Sequence, residues 1–349
     1  MKKILLSAAV AAMLALMAVG CGVRHVTKEN TESGESVSAS AAKYAIITKQ
    51  KDNAYNEKII SGFQSVMEST GNTCVVGEPS KGTAAEQIKM VNDFISEKVS
   101  CIAIAPEDAD ALSDCLKSAM KSGIDVCSFD TPALSDSREL FINQAGTNQI
   151  ALTLMDAVLD ISGGKGSWAI LSASSTASNQ NEWISSMKQT MKDAKYKDLQ
   201  LVEIAYGDDA YQKSYNQTKS LLQSYPDLKV ICAPTTVGMK AAANAITDTG
   251  SKVKLTGLGL PSEMADFIGS GKCCPYMYLW NPLNLGRVTA YVSVALDEGS
   301  ITGDVGEEFK AGDMGAFKVT KASDGGTEVI VGYPFKFSAD NIDDWKEIY

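Results

Sequence analysis

The sequence predicts an α/β protein made of two doubly wound, Rossmann-like halves joined by a hinge of several crossovers. Three observations carry this. Apolar runs of strand length alternate with stretches whose apolar residues recur at helical spacing, the pattern of strand–helix–strand units in a parallel sheet. The series restarts after the turn Gly163–Gly166. From Pro275 onward the chain carries a strand, a helix and further strand-like runs that do not continue the alternation, as a chain returning to its first half and crossing back would. Several crossovers make a hinge, and hinged halves close over a ligand.

In chain order, Tyr44–Thr48 reads as the first strand, and a helix follows with Ile59, Ile60, Phe63, Val66 and Met67 on one face. Cys74–Val76 is a short second strand. Thr83, with Glu86 three residues on, resembles a capping box before a helix carrying Ile88, Val91, Phe94 and Ile95. The central unit runs from Cys101 to Pro132: a strand Cys101–Ala105, a helix with Leu112, Cys115, Leu116, Ala119 and Met120 on its apolar face, Gly123 closing it, and a strand Ile124–Phe129. Such a unit requires a right-handed crossover, and open parallel sheets bind ligands beyond the carboxyl ends of their strands, where Asp130 stands. Leu140–Ile142 is a fifth strand, followed by Asn143–Gln144, which read as hinge before ligand.

The second series comprises strands Trp168–Leu171, Leu201–Ala205, Val230–Ala233 and Val253–Leu258. Its helices start at Ser178 with Trp183 and Met187 inside, run through Leu221 and Leu222, and span Ala241–Ile246. The final segment adds a strand Pro275–Trp280, a helix Leu283–Leu296, and strands Phe317–Thr320 and Thr327–Val331. The turn Gly163-Gly164-Lys165-Gly166 is no phosphate loop, because it precedes a strand and its lysine is followed by glycine.

Composition narrows the function. Met1–Gly20 has a charged start, an alanine- and leucine-rich apolar core and small residues before Cys21, the layout of a bacterial lipoprotein signal with lipidation at Cys21. Residues 1–21 are therefore expected to be a signal, 22–42 a flexible tether, and the protein to be exported and lipid-anchored on the outer face of the cytoplasmic membrane. The one histidine, His25, lies in the tether, which leaves no imidazole for a nucleophilic relay or a histidine metal site. A net charge of −10 with no basic stripe argues against nucleic acid. Seven cysteines besides Cys21 include no CxxC pair, and several lie in apolar runs, so they read as buried thiols; Cys273–Cys274 have no assigned role. No metal and no cofactor are expected.

The stretches INQAGT at Ile142, SNQNEW at Ser178, YPDLKVICAP at Tyr225, AAANAI at Ala241 and the run from TGLGLPSEM through MYLWNPLNLGR resemble, over Tyr44–Tyr349, the periplasmic sugar-binding proteins of the ribose-binding type. Within that family the likeness is greatest to the branch of rhamnose-binding and autoinducer-2-binding proteins. The resemblance implies a type I periplasmic binding fold, with one lobe of residues 43–146 plus about 283–312 and another of 147–282 plus about 313–349. It implies a monomer that binds a sugar or sugar-like molecule without chemistry and docks on the permease of an ABC importer. The autoinducer-2 receptors' ligand residues map onto Lys49, Asp130, Asn179, Gln180, Pro234 and Thr236; Asn179 stands where those receptors have aspartate, and Thr236 where they have alanine.

The residue types agree with a polyol site. Asp130, Asn179, Gln180, Asn281 and Lys49 supply carboxylate, amide and cation for hydroxyls, and Trp280, Tyr55 or Trp183 supply an aromatic wall. Each also has a plainer reading: Asp130, Asn179 and Gln180 as caps, Lys49 as a solvated loop lysine, the tryptophans as core, Pro234 as the end of its strand. A rhamnose-type sugar and autoinducer-2 both remain as ligands. A receptor presenting ligand to a membrane histidine kinase would use the same fold. A glycosidase would need paired carboxylates in a motif that is not evident.

Overall fold

The computed structural model describes residues 41–349; the signal segment, Cys21, His25 and the tether up to Ser40 fall outside the described residues. Strands β1 (Lys43–Ile47), β2 (Thr73–Gly77), β3 (Cys101–Ile104), β4 (Asp125–Phe129) and β5 (Leu140–Ala145) are joined by helices α1 (Ala54–Ser69), α2 (Ala84–Glu97) and α3 (Ala109–Lys121). They form a parallel sheet in the order β2-β1-β3-β4-β5. Strands β1, β3, β4 and β5 are buried on both faces. Ala45, Ile47, Ile102, Ile104 and Val126 point toward α2 and α3; their alternate neighbours Tyr44, Ile46, Cys101, Ala103 and Cys127 pack on the other side with Ile59 and Phe63 of α1.

Helix α4 (Thr147–Ile161) then leads into β6 (Gly166–Ser172), α5 (Ser178–Thr190), β7 (Leu199–Tyr206), α6 (Tyr211–Ser224), β8 (Leu228–Ala233), α7 (Thr236–Asp248) and β9 (Lys254–Gly257). The second parallel sheet has the order β7-β6-β8-β9. After the short α8 (Pro261–Met264) comes β10 (Tyr276–Leu279), which reaches β9 through a bridge between Leu258 and Tyr278. Helix α9 (Pro282–Asp297) returns to the first sheet and packs on α1 so closely that a Cβ on Gly62 would lie 2.1 Å from the Leu283 carbonyl oxygen, and one on Gly286 1.9 Å from that of Ile59. The tail holds β11 (Glu308–Lys310), β12 (Ala316–Lys318), β13 (Thr320–Lys321), β14 (Thr327–Gly332), β15 (Phe335–Ser338) and α10 (Ile342–Trp345).

The chain passes between the two sheets at β5–α4, β10–α9 and β14–β15. Asn143 and Gln144 immediately precede the first passage. The Asn143 amide donates to Glu328 of β14 at 2.8 Å, and Gly332 at the third passage lies against the Gln144 carbonyl.

Four features differ from the sequence reading. The tail segment 320–332 was expected in the second lobe, yet β14 pairs in parallel with β5 and extends the first sheet, because β5 would otherwise be a bare edge; only β15 joins the second half, on β10. The run Phe317–Thr320 divides between a hairpin with β11 and a strand on β14. Helix α4 was not anticipated, although Ile150, Ala151, Leu154, Met155 and Val158 are buried at helical spacing. The capping box is half formed: Thr83 accepts from the Glu86 N–H at 3.4 Å, but the Glu86 carboxylate turns to Ser80 and Lys81. All seven cysteines among the described residues are free thiols, and four of them are buried.

Candidate ligand-binding site

In each sheet the strand order reverses beside its first strand, β1 in one and β6 in the other, so a crevice opens beyond the strands' carboxyl ends. The two crevices face one another and enclose a cavity of about 430 Å³, within the range of small-molecule sites. The first half contributes Lys49 after β1, Glu107 after β3 and Asp130 after β4. The second contributes Ala173–Ala177 after β6, Asp208 and Asp209 after β7, Pro234–Thr236 after β8 and Leu258 after β9. Gln87, fully buried, secures the first set: its amide donates to the carbonyls of Thr48 at 3.0 Å and Ala105 at 2.8 Å, and its oxygen accepts from the Glu107 N–H.

Asp130 is the best-held of these groups. Its backbone is left-handed, with φ 60°, which turns the carboxylate off the end of β4 into the cleft. The Trp280 indole N–H donates to the Tyr55 hydroxyl at 2.7 Å, and that hydroxyl donates to Asp130 Oδ1 at 2.9 Å. Tyr55 is set in place by Asn53, whose side chain caps α1. Asn179 Nδ2 reaches Asp130 Oδ2 from the opposite wall at 3.3 Å. Burial raises the Asp130 carboxyl above the usual carboxylate range, while Lys49 and the Tyr55 and Thr131 hydroxyls pull it down. Burial likewise raises the Tyr55 hydroxyl, and the neighbouring Asp130 charge adds to it.

The aromatic wall is a cluster. Tyr55 and Trp280 meet edge to face with centroids 6.4 Å apart, and Trp183 meets Trp280 at 5.8 Å. Leu258 and Leu279 extend it as an apolar surface. On the polar side, Gln180 Oε1 accepts from Ser172 Oγ and the Ala173 N–H at 3.0 and 2.8 Å, leaving its NH₂ toward the cleft. Asn179 Oδ1 accepts from the Gln180 N–H at 2.8 Å, so this pair serves the first turn of α5 and the cleft at once.

The cavity thus brings together Lys49, Tyr55, Asp130, Asn179, Gln180, Trp183, Pro234, Thr236 and Trp280 of the residues the sequence singled out. Asn281 is a correction. It is not among the cavity's walls; its side chain accepts from the Asn284 N–H at 3.1 Å and caps α9, whose Pro282 starts the helix. Glu107, Asp209, Gln50 and Asn53 line the cavity and were not anticipated.

A periplasmic binding protein domain matches residues 44–300. The chain belongs to the periplasmic binding protein family. Among solved structures, an ABC transporter solute-binding protein from Clostridium phytofermentas with bound L-rhamnose is 52% identical, with a TM-score of 0.87, over 89% of this chain and 100% of that one. A sugar ABC transporter protein from Actinomyces odontolyticus is 39% identical with a TM-score of 0.70, over 87% and 97% of the two chains. LsrB from Clostridium saccharobutylicum, in complex with AI-2, has a TM-score of 0.81 over 87% and 99% of the chains; at 21% identity that likeness shows the fold. As a periplasmic binding protein the chain is of the type I architecture, an extracytoplasmic family in which two α/β halves flank the ligand cleft.

Proposed function

We propose that this protein is the sugar receptor of an ABC importer, that its ligand is L-rhamnose or a closely similar 6-deoxyhexose, and that it binds by closure of the two halves. The observation that carries the reading is Asp130, a buried carboxylate oriented by the Trp280–Tyr55 relay and set against an aromatic and aliphatic wall. A pyranose presents hydroxyls along its edge and C–H groups on its face, and a 6-deoxy sugar adds a methyl group that suits Leu258, Leu279 and Trp280.

Charge supports a neutral ligand. The cavity lining holds the carboxylates Glu107, Asp130 and Asp209 against the ammonium groups of Lys49 and Lys81, a field that repels uronates and sugar phosphates. Two features favour the deoxysugar over autoinducer-2: the relative of over half identity carries L-rhamnose, and Asn179 replaces a hydroxyl-accepting carboxylate by an amide that also donates. With net contributions of about 1 kcal/mol per hydrogen bond, five or six bonds plus buried apolar area reach micromolar affinity, about −8 kcal/mol. On this reading the protein is exported, tethered through a lipid on Cys21, acts as a monomer without catalysis, flexes at Asn143–Gln144 and the two neighbouring passages, and presents its closed form to the permease.

The test is a melting-temperature panel on protein unfolded and refolded to strip carried-over ligand. L-rhamnose at about a hundredfold excess over Kd adds about 2.7 kcal/mol and raises the melting point by several degrees. A shift with autoinducer-2 and none with L-rhamnose would replace the nutrient reading by signal capture.

A further inference from the structure

Asp209 lies in the loop Gly207–Ala210 that links β7 to α6, at a strand carboxyl end, as Asp130 does in the other half. Three properties set it apart from its surroundings. Asp208 and Asp209 are consecutive left-handed residues, φ 54° and 47°, a costly backbone for non-glycine residues that persists where the surroundings impose it. The loop is pressed onto α6, so that a Cβ on Gly207 would lie 2.1 Å from Ser214 Oγ. Asp208 turns outward to pair with Lys213, whereas Asp209 turns inward, where the Thr235 hydroxyl donates to its Oδ1.

That hydroxyl fixes one oxygen of the carboxylate and leaves Oδ2 for a ligand. Across the cleft, Gln50 Nε2 donates to the Asp209 main-chain carbonyl at 3.2 Å, so the loop is tied to the opposite half where the halves meet. Lys49, the residue next to Gln50, faces Asp130, Asp209 and Glu107 and forms no ion pair with any of them among the described residues. The first turn of α5 offers the cleft only the amides of Asn179 and Gln180, so the hydroxyl-accepting charge of the second half comes from this loop. Burial raises the Asp209 carboxyl, and the Thr235 hydroxyl and Lys49 hold it down.

We infer that Asp209 is a specificity-determining residue: clamped by Thr235 and faced by Lys49, it accepts a hydroxyl at the end of the ligand away from Asp130, so the cleft reads both ends of a polyol with carboxylates from opposite halves. This rests on the sugar reading above. It makes a neutral ligand with a hydroxyl at each end the preferred class.

The experiment is titration calorimetry of the wild type, Asp209→Asn and Asp130→Asn with L-rhamnose and its monodeoxy analogues, each lacking one ring hydroxyl. Asparagine tolerates the left-handed backbone, so the fold is retained, checked by an unliganded melting temperature within about 2 °C of wild type. D209N is expected to weaken L-rhamnose binding by about 10- to 100-fold, the worth of a charged hydrogen bond. For one analogue the D209N penalty vanishes, and that hydroxyl differs from the one D130N singles out. Thr235→Val, which leaves the carboxylate in place without its clamp, weakens the same contact by a smaller factor of about 3 to 10. D209N and T235V binding every analogue as wild type does, or D209N singling out the same hydroxyl as D130N, would overturn the assignment while leaving the sugar reading intact. A wild type that binds none of the sugars overturns both.

Discussion

Asp130 joins a strained backbone, a buried charge and a three-membered relay, and each makes a prediction at the scale of single residues. Replacing it with asparagine keeps the left-handed backbone and the shape but removes the charge that accepts sugar hydroxyls; affinity for the sugar is expected to fall about 10- to 100-fold by calorimetry. Because burial raises its carboxyl, the group takes up a proton at higher pH than an exposed aspartate and then accepts less well. Affinity should therefore fall as the pH is lowered through that raised range, and the fall should be absent in D130N. Tyr55→Phe strands the Trp280 N–H and one Asp130 oxygen. It is expected to cost about 1–3 kcal/mol of stability in denaturant titration and to weaken the ligand in parallel. Lys49, Asp130 and Pro234 were legible in the sequence because each follows an apolar strand run and a family pattern names the position. Glu107 and Asp209 carry the same strand-end signal, two and four residues beyond Ala105 and Ala205, but no pattern singled them out. The relay was not legible at all, since it joins residues 225 and 75 positions apart that only the folded chain brings together.

Among the elements, the α1–α9 contact fixes the face of the first half on which the wall residues stand, as Tyr55 lies in the first turn of one helix and Trp280 precedes the Asn281 cap of the other. With Gly286 against the Ile59 carbonyl there is no room for a methyl group. Gly286→Ala is expected to force the helices apart and destabilise the protein by at least about 2 kcal/mol, read as a lower denaturation midpoint. At the opposite end of the first sheet, burial pushes the Glu139 carboxyl from its ordinary 4.5 to about 7. Its native form holds a proton that the unfolded chain has released over that window. The associated stability is complete below the lower value and is lost as the pH rises through the upper one. The melting temperature should decline between about pH 5 and pH 8, and Glu139→Gln should flatten the decline. The inner strands of both sheets were legible because they are buried on two faces and read as mostly apolar runs. The tail was not: Thr327–Gly332 reads equally as a strand of either half, and the sheet it joins is decided by the free edge of β5, a tertiary fact.

For the molecule as a whole, three passages between two parallel sheets leave a cleft whose walls already touch through Asn179–Asp130 and Gln50–Asp209, so a ligand that bridges the halves adds to contacts the fold provides. The acidic lining within a chain of net charge −10 sets the sign of the ligand, neutral rather than anionic, and the apolar wall sets its hydrophobic face. Fold class was the most legible level, because alternation, restart and returning tail are properties of the whole sequence; ligand identity was the least, because it rests on a few polar groups across the cleft. Calorimetric titration of ligand-stripped protein with L-rhamnose decides whether this cleft is a deoxysugar site. One-to-one binding with Kd in the micromolar range, about −8 kcal/mol, is the predicted result. No heat with L-rhamnose, from protein that melts cooperatively and responds to another ligand, would contradict it.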